Sequence, residues 1–210
     1  MARWRPYHEL DLAALGVLPD DWLNQVRDAI DSSMNTLLTE ASSTSRERQA
    51  GRPMAVRVVD GLAVAARLPW LIELYAGRLK EFCEVSFGRK LFTANRLHTT
   101  VNINEVSGRG AQYEWHVDSN PVTGLLFATT CQKGFGGSLV FREHEGRRAI
   151  VRPRLGRFIC FDARKIPHRV APLKVDGQRV SIPMNYYESS QEQPRPSDLD
   201  EQMYPPGERS

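Results

Sequence analysis

Apolar residues at Trp22, Leu23, Val26, Ile30, Leu37 and Leu38 in PDDWLNQVRDAIDSSMNTLLTEA recur at intervals of three and four, which predicts a helix over 19–41 with acidic residues at its start. The next stretch, SSTSRERQAGRP, is polar and broken by Gly51 and Pro53, the composition of a loop; residues 42–53 are a candidate lid. Pro69 followed by WLIELYAGRLKEFCEVSF predicts a second helix that stops at Gly88. From Arg96 the period shortens. HTTVNINEV, YEWHV, GLLFATTC, GGSLVF, RAIVRP, GRFICF, HRVAP and RVSIPMNYY are short runs rich in β-branched and aromatic residues, separated by turn signals. Such a series describes a mainly β fold with flanking helices, a sandwich or jelly roll. The expected organisation is one domain: a helical cover over 1–95, a β core over 96–188, and a polar, proline-rich tail over 189–210 expected to be poorly ordered.

Charge adds little to this picture. The net charge is +3, but residues 142–169 hold nine Lys/Arg against three Asp/Glu, so this segment carries +6 and the remainder −3. A base-stacking surface would interleave aromatic residues with these cations; none do, so no nucleic-acid partner is expected and a small anionic ligand explains the charge as well. No apolar run approaches the roughly 20 residues that span a bilayer. Cys83, Cys131 and Cys160 are far apart and form no CxxC pair, which fits buried thiols in a reducing cytoplasm.

The candidate chemistry centres on YEWHVDS. Strand side chains alternate, so His116 and Asp118 project to one side and can chelate one ion, although the dyad alone is a weak signal. His168 opens a later strand, and in a jelly roll strands distant in sequence lie side by side. Two imidazoles and a carboxylate would bind Fe(II) and leave three of six octahedral positions open. Arg179 and Ser181 share a face of RVSIPMNYY, and a guanidinium held inside a barrel needs an anion; its fork matches a carboxylate. No acidic residue of the sequence is an evident partner.

Taken in order, HVD, GGSLVF, GRFICFDARKIPHRVAP and RVS resemble the Fe(II)- and 2-oxoglutarate-dependent dioxygenases, whose fold is a double-stranded β-helix. The resemblance covers about residues 96–188. It implies that His116, Asp118 and His168 ligate Fe(II), and that Arg179 and Ser181 grip the far carboxylate of the cosubstrate 2-oxoglutarate. It further implies that Asn102 or Asn104 touches 2-oxoglutarate from the first barrel strand, where relatives carry a tyrosine or asparagine. O2 would be consumed, with succinate and CO2 released as a C–H bond is hydroxylated. Relatives that halogenate lack the carboxylate ligand; with Asp118 present, hydroxylation is expected.

The other marked residues have plainer readings. His8 fits a structural role, His98 a packed or surface site, and His144 an exposed turn. Gly136 and Gly137 lack the Lys-Ser/Thr of a phosphate loop and fit a bulge or close approach before a strand. Trp115 alternates away from His116, while Glu114 shares its face and is a candidate for a substrate amine. With Arg142, Arg154, Asn185 and Tyr187 it makes a mixed polar set suited to a small zwitterionic or anionic substrate, such as a free amino acid or a natural-product intermediate. A prolyl-hydroxylase-type enzyme acting on peptides, and a cupin-like binding protein without catalysis, remain as alternatives.

Overall fold

The computed structural model describes residues 4–32, 36–37, 56–143 and 146–193. The expected lid over 42–53, His144 and most of the 189–210 tail lie outside the described residues. All eight expected core strands form: β5 (Ile103–Ser107), β6 (Tyr113–His116), β7 (Val122–Phe127), β8 (Leu139–Arg142), β9 (Arg148–Val151), β10 (Arg157–Asp162), β11 (His168–Val170) and β12 (Gln178–Tyr187). The segment before residue 96 adds β1 (Tyr7–Asp11), β2 (Thr36–Leu37), β3 (Val56–Val59) and β4 (Phe92–Thr93).

These strands make two antiparallel sheets. The larger runs β1-β10-β7-β12-β5-β3-β2, with β4 beside β12, and the smaller runs β6-β11-β8-β9. The strand series predicted this jelly-roll class; the boundary expected at residue 96, however, cuts through the larger sheet. β1 and β3 escape a pattern-based prediction because they are four or five residues long and alternate poorly, and only pairing to β10 and β5 makes them strands.

Helices cover the outer face of the larger sheet. α1 (Trp22–Ser32) buries Trp22, Val26, Ala29 and Ile30 against it. The helix expected over 19–41 therefore ends early, and Thr36 and Leu37 pair with Val58 and Arg57 instead. Near this end the Ser32 hydroxyl donates to the Asp28 carbonyl, the local bonding by which serine competes with helix propagation. α2 (Gly61–Arg67) is capped by Asp60, whose carboxylate accepts from the Ala63 amide. α3 (Pro69–Leu74) continues through a π-helical turn at Tyr75–Leu79 into α4 (Lys80–Phe87), closed by Gly88 at φ +61°.

Alternation along β12 determines what lies where. Val180, Ile182, Met184 and Tyr186 enter the core under the helices, so Arg179, Ser181 and Asn185 face the space between the sheets. The three cysteines are buried free thiols, as expected. Among the described residues no helix is long and apolar enough to cross a membrane.

Candidate active site

β6 and β11 pair so that His116 stands directly opposite His168. Cross-strand neighbours share a face, and the ring centroids are 4.3 Å apart. Asp118 follows the end of β6, where its amide donates to the Ala163 carbonyl at 2.9 Å. Its Oδ1 lies 3.7 Å from His116 Nε2 and 3.5 Å from His168 Nε2. One ligand atom from each residue falls within 4.8 Å of the others, and this is the cluster of that kind among the described residues.

Backbone carbonyls orient both imidazoles. His116 Nδ1 donates to the Glu114 carbonyl at 2.7 Å and His168 Nδ1 to the Ile166 carbonyl at 3.0 Å. That tautomer leaves each Nε2 lone pair pointing toward the cluster, the usual preparation of a histidine for metal binding. Burial and the charge of His168 push the His116 imidazole down to about 4, against the opposing effect of Asp118. Burial would raise the Asp118 carboxyl; the two imidazoles, His168 ahead of His116, and the Thr123 hydroxyl outweigh it and hold the group at about 2. Both groups are thus in the protonation states that metal binding requires at neutral pH. The donor set of two nitrogens and one carboxylate fits Fe(II).

The second component is Arg179, 1% exposed. Nε donates to the Gly137 carbonyl at 2.9 Å and Nη1 to Ser181 Oγ at 2.8 Å, while Nη2 has no partner among the described residues. Burial lowers this guanidinium to about 10, against Cys131 and Tyr113, so it stays charged at neutral pH. A buried cation with unmet donors is a costly arrangement for a folded protein, and a carboxylate ligand removes the cost. Gly137 can come this close because Gly136 and Gly137 adopt φ of +87° and +67°; a Cβ at Gly136 would stand 2.2 Å from the Pro172 carbonyl. The expectation of a close approach there holds.

Asn104 sits opposite Ser181 with a buried Oδ1 that lacks a partner among the described residues, so it faces the same space as Arg179. Asn102 is committed elsewhere, its amide donating to the His98 carbonyl at 2.9 Å. Of the two asparagines, Asn104 alone presents an unmet polar atom beside Ser181.

A β-bulge alters the rest of the expected site. Tyr113 pairs with Val170 while His116 pairs with His168, so four residues of β6 match three of β11, and Glu114 and Trp115 together oppose Arg169. Tyr113 therefore shares the ligand face. It packs with Val58, Val106 and Leu173, near enough to Arg179 for its phenol to affect that group. Sequence reasoning missed it, because strict alternation assigns that face to Glu114. Glu114 instead accepts from Gln112 Nε2 at 2.5 Å.

Trp115 packs outside, as expected, with the Arg142 and Arg169 guanidiniums 4.6 Å and 5.0 Å from its ring centroid. Arg142 is thus on the rim rather than inside the barrel. Arg154 is half exposed and ion-paired with Asp11, away from the cluster. The sequence placed it in the cavity, but it belongs to the turn before β10. Asn185 shares the inner face, yet its amide donates to the Thr99 carbonyl at 2.7 Å, and Tyr187 is buried at the end of β12 opposite Phe92. The zwitterion-binding set does not assemble. What lies beside His116 is a cavity of about 760 Å³ lined by Trp4, Arg142, Arg164, Lys165, Ile166 and Pro167 among others. The two other described histidines have structural settings: His8 meets the Phe87 ring edge-on, and His98 stands 3.7 Å from Asp60.

Residues 101–187 match the family model of the 2OG-Fe(II) oxygenase superfamily. No curated protein matches the chain by sequence. Among solved structures, an oxidoreductase of the 2OG-Fe(II) oxygenase family from Burkholderia pseudomallei is similar over 88% of this chain and 86% of its own, with 16% identity and a TM-score of 0.65. The non-heme alpha-ketoglutarate-dependent epimerase SnoN from nogalamycin biosynthesis is similar over 87% and 78%, with 14% identity and a TM-score of 0.64. A prolyl hydroxylase from Trichoplax adhaerens, solved with a hypoxia-inducible-factor peptide, covers 87% and 84% at 17% identity and a TM-score of 0.56. At these identities the structures establish the shared fold. The family pattern runs across the strands that carry the His-Asp-His cluster and Arg179, so residues 101–187 match the 2OG-Fe(II) oxygenase superfamily, whose members use Fe(II), 2-oxoglutarate and O2.

Proposed function

We propose that His116, Asp118 and His168 hold Fe(II), that Arg179 and Ser181 hold the far carboxylate of 2-oxoglutarate with Asn104 beside them, and that the enzyme hydroxylates a C–H bond of a small anionic molecule. The observation that carries the cosubstrate assignment is the buried Arg179, with its Nη2 donor unmet between the sheets. When bound, iron supplies the oxidising chemistry, with 2-oxoglutarate decarboxylated to succinate as the substrate gains a hydroxyl.

The chain's own residues supply the geometry. The Glu114 and Ile166 carbonyls hold the imidazoles as Nε2 donors, so the ligands are oriented before iron arrives. Arg179, fixed by Gly137 and Ser181, offers a pre-aimed fork, which limits the ordering lost when 2-oxoglutarate binds. The barrel walls around Phe127, Phe141 and Phe161 exclude water and strengthen these polar contacts.

The cavity beside His116 supports the substrate class. Its volume lies within the range of small-molecule sites. Arg164, Lys165 and Arg142 line it, and Glu143 is the acid among its lining residues, already paired with Arg147. Arg164 has a backbone carbonyl and no carboxylate partner among the described residues, so it can take one from a substrate. Trp4, Ile166 and Pro167 provide an apolar wall. A carboxylate-bearing small molecule, free amino acids included, fits this combination.

The test begins anaerobically: Fe(II) with 2-oxoglutarate should give a visible charge-transfer absorption, absent if the protein is only a binding module. Succinate formation against amino acids, other carboxylic acids and peptides then decides the substrate. Stimulation by peptides alone would replace the small-molecule assignment with a prolyl-hydroxylase-type one. His168→Ala should abolish succinate formation with the fold retained by circular dichroism; full activity would remove His168 from the iron shell.

A further inference from the structure

Asp118 is gripped from behind. Thr123 Oγ1 donates to Asp118 Oδ2 at 2.5 Å, and Asn120 Nδ2 donates both to Thr123 Oγ1 and to the Val122 carbonyl, each at 2.8 Å. The Val122 carbonyl is an obligate acceptor, so the Asn120 amide nitrogen must face it; the amide orientation is not ambiguous. With Asn120 donating into the Thr123 oxygen, the single hydroxyl proton is directed to Asp118. Asn120 and Thr123 are each 4% exposed, so water has little access to replace either partner. Thr123 is also fixed in register, opposite Phe161 on one side and Asn185 on the other, near the centre of the larger sheet.

The two carboxylate oxygens are consequently unequal. Oδ2 is committed to Thr123, while Oδ1 faces His116 Nε2 and His168 Nε2. We infer that Asn120 and Thr123 are positioning residues that restrict Asp118 to one-oxygen coordination of iron. The inference rests on the iron assignment above. Its consequence is a coordination number: two imidazoles and one carboxylate oxygen occupy three of six octahedral corners, whereas a carboxylate free to chelate through both oxygens would occupy a fourth. A keto acid binding through two atoms then leaves no corner for O2. The relay keeps that corner open.

A purely structural role, in which Asn120 and Thr123 tie down the turn into β7, would affect folding but not metal binding. The experiment uses the full chain, freed of metal and titrated anaerobically with Co(II), whose d–d absorption reports both affinity and coordination number. Thr123→Val keeps the β-branched shape and removes the donor. It should weaken Co(II) by about tenfold or more and change the band intensity in a variant that still folds without metal. Thr123→Ser, which restores the donor, should return to within about twofold of the parent, since the hydroxyl is the group argued to act. Asn120→Ala leaves the hydroxyl but frees its proton to turn away, and should weaken Co(II) less than Thr123→Val; it carries the test if Thr123→Val does not fold. Parental affinity and spectrum in the folded variants would overturn the inference. Asp118→Ala separates the two assignments. If it loses Co(II) while Thr123→Val does not, only the relay fails; if Asp118→Ala binds Co(II) like the parent, the iron site itself is misassigned.

Discussion

Arg179 and Ser181 stand two residues apart on β12, joined by a 2.8 Å hydrogen bond and buried together, with one guanidinium nitrogen left unmet among the described residues. A buried cation with an unmet donor is costly without a ligand. Arg179→Met should therefore act in opposite directions on stability and function. Loss of a charge-assisted hydrogen bond is worth about 1.5–3 kcal/mol, so KM for 2-oxoglutarate should rise by about ten- to a hundredfold. Removing an unpaired buried cation should raise the melting temperature of the ligand-free protein. A lower melting temperature would show that a neighbour already neutralises the charge.

Tyr113 enters the same space through the β6 bulge, beside Arg179. Tyr113→Phe keeps the packing against Val106 and Leu173 and removes the phenolic oxygen. KM for 2-oxoglutarate should increase by about fivefold, the value of one neutral hydrogen bond of about 1 kcal/mol, with kcat nearly unchanged. An unchanged KM would confine Tyr113 to packing.

Acid should destabilise the metal-free protein in two stages. The folded His116 imidazole, depressed to about 4, takes up its proton later than the unfolded one, whose ordinary value is 6.5. Its contribution is present above about 6.5 and is lost as pH falls through 4. Asp118, depressed to about 2 from 3.8, adds a second loss below about pH 4. Urea midpoints of chelator-treated protein from pH 8 to 3 measure this; a flat profile between 6.5 and 4 would contradict the neutral folded-state His116.

Gly136→Ala would place a Cβ against the Pro172 carbonyl in a left-handed backbone, at a cost of about 1–3 kcal/mol. Because the adjacent Gly137 carbonyl supports Arg179 Nε, KM for 2-oxoglutarate should rise as stability falls. Urea denaturation and steady-state kinetics on the same variant check both.

Arg154→Ala should change neither kcat nor KM, and should cost at most about 1 kcal/mol through its exposed pair with Asp11. A tenfold fall in activity would return Arg154 to the cavity.

The sequence by itself determined the parts whose identity is their chemistry. His116, Asp118 and His168 are legible as one cluster because few side chains carry metal-ligand chemistry, and Arg179 as a buried inward position because strand alternation places it there. The eight core strands are legible because each carries its own period of two. Tertiary structure alone decided the rest. Tyr113 replaces Glu114 on the ligand face because pairing to β11 inserts a bulge, and a bulge is a property of two strands that neither states alone. Asn104 is distinguished from Asn102 by what stands across from it, Ser181 rather than a bond to the His98 carbonyl. β1 and β3 become strands by docking on finished edges, and Arg154 leaves the cavity because Asp11 arrives there with β1. Local pattern sets which way a residue can point; cross-strand register, a long-range quantity, sets what it meets.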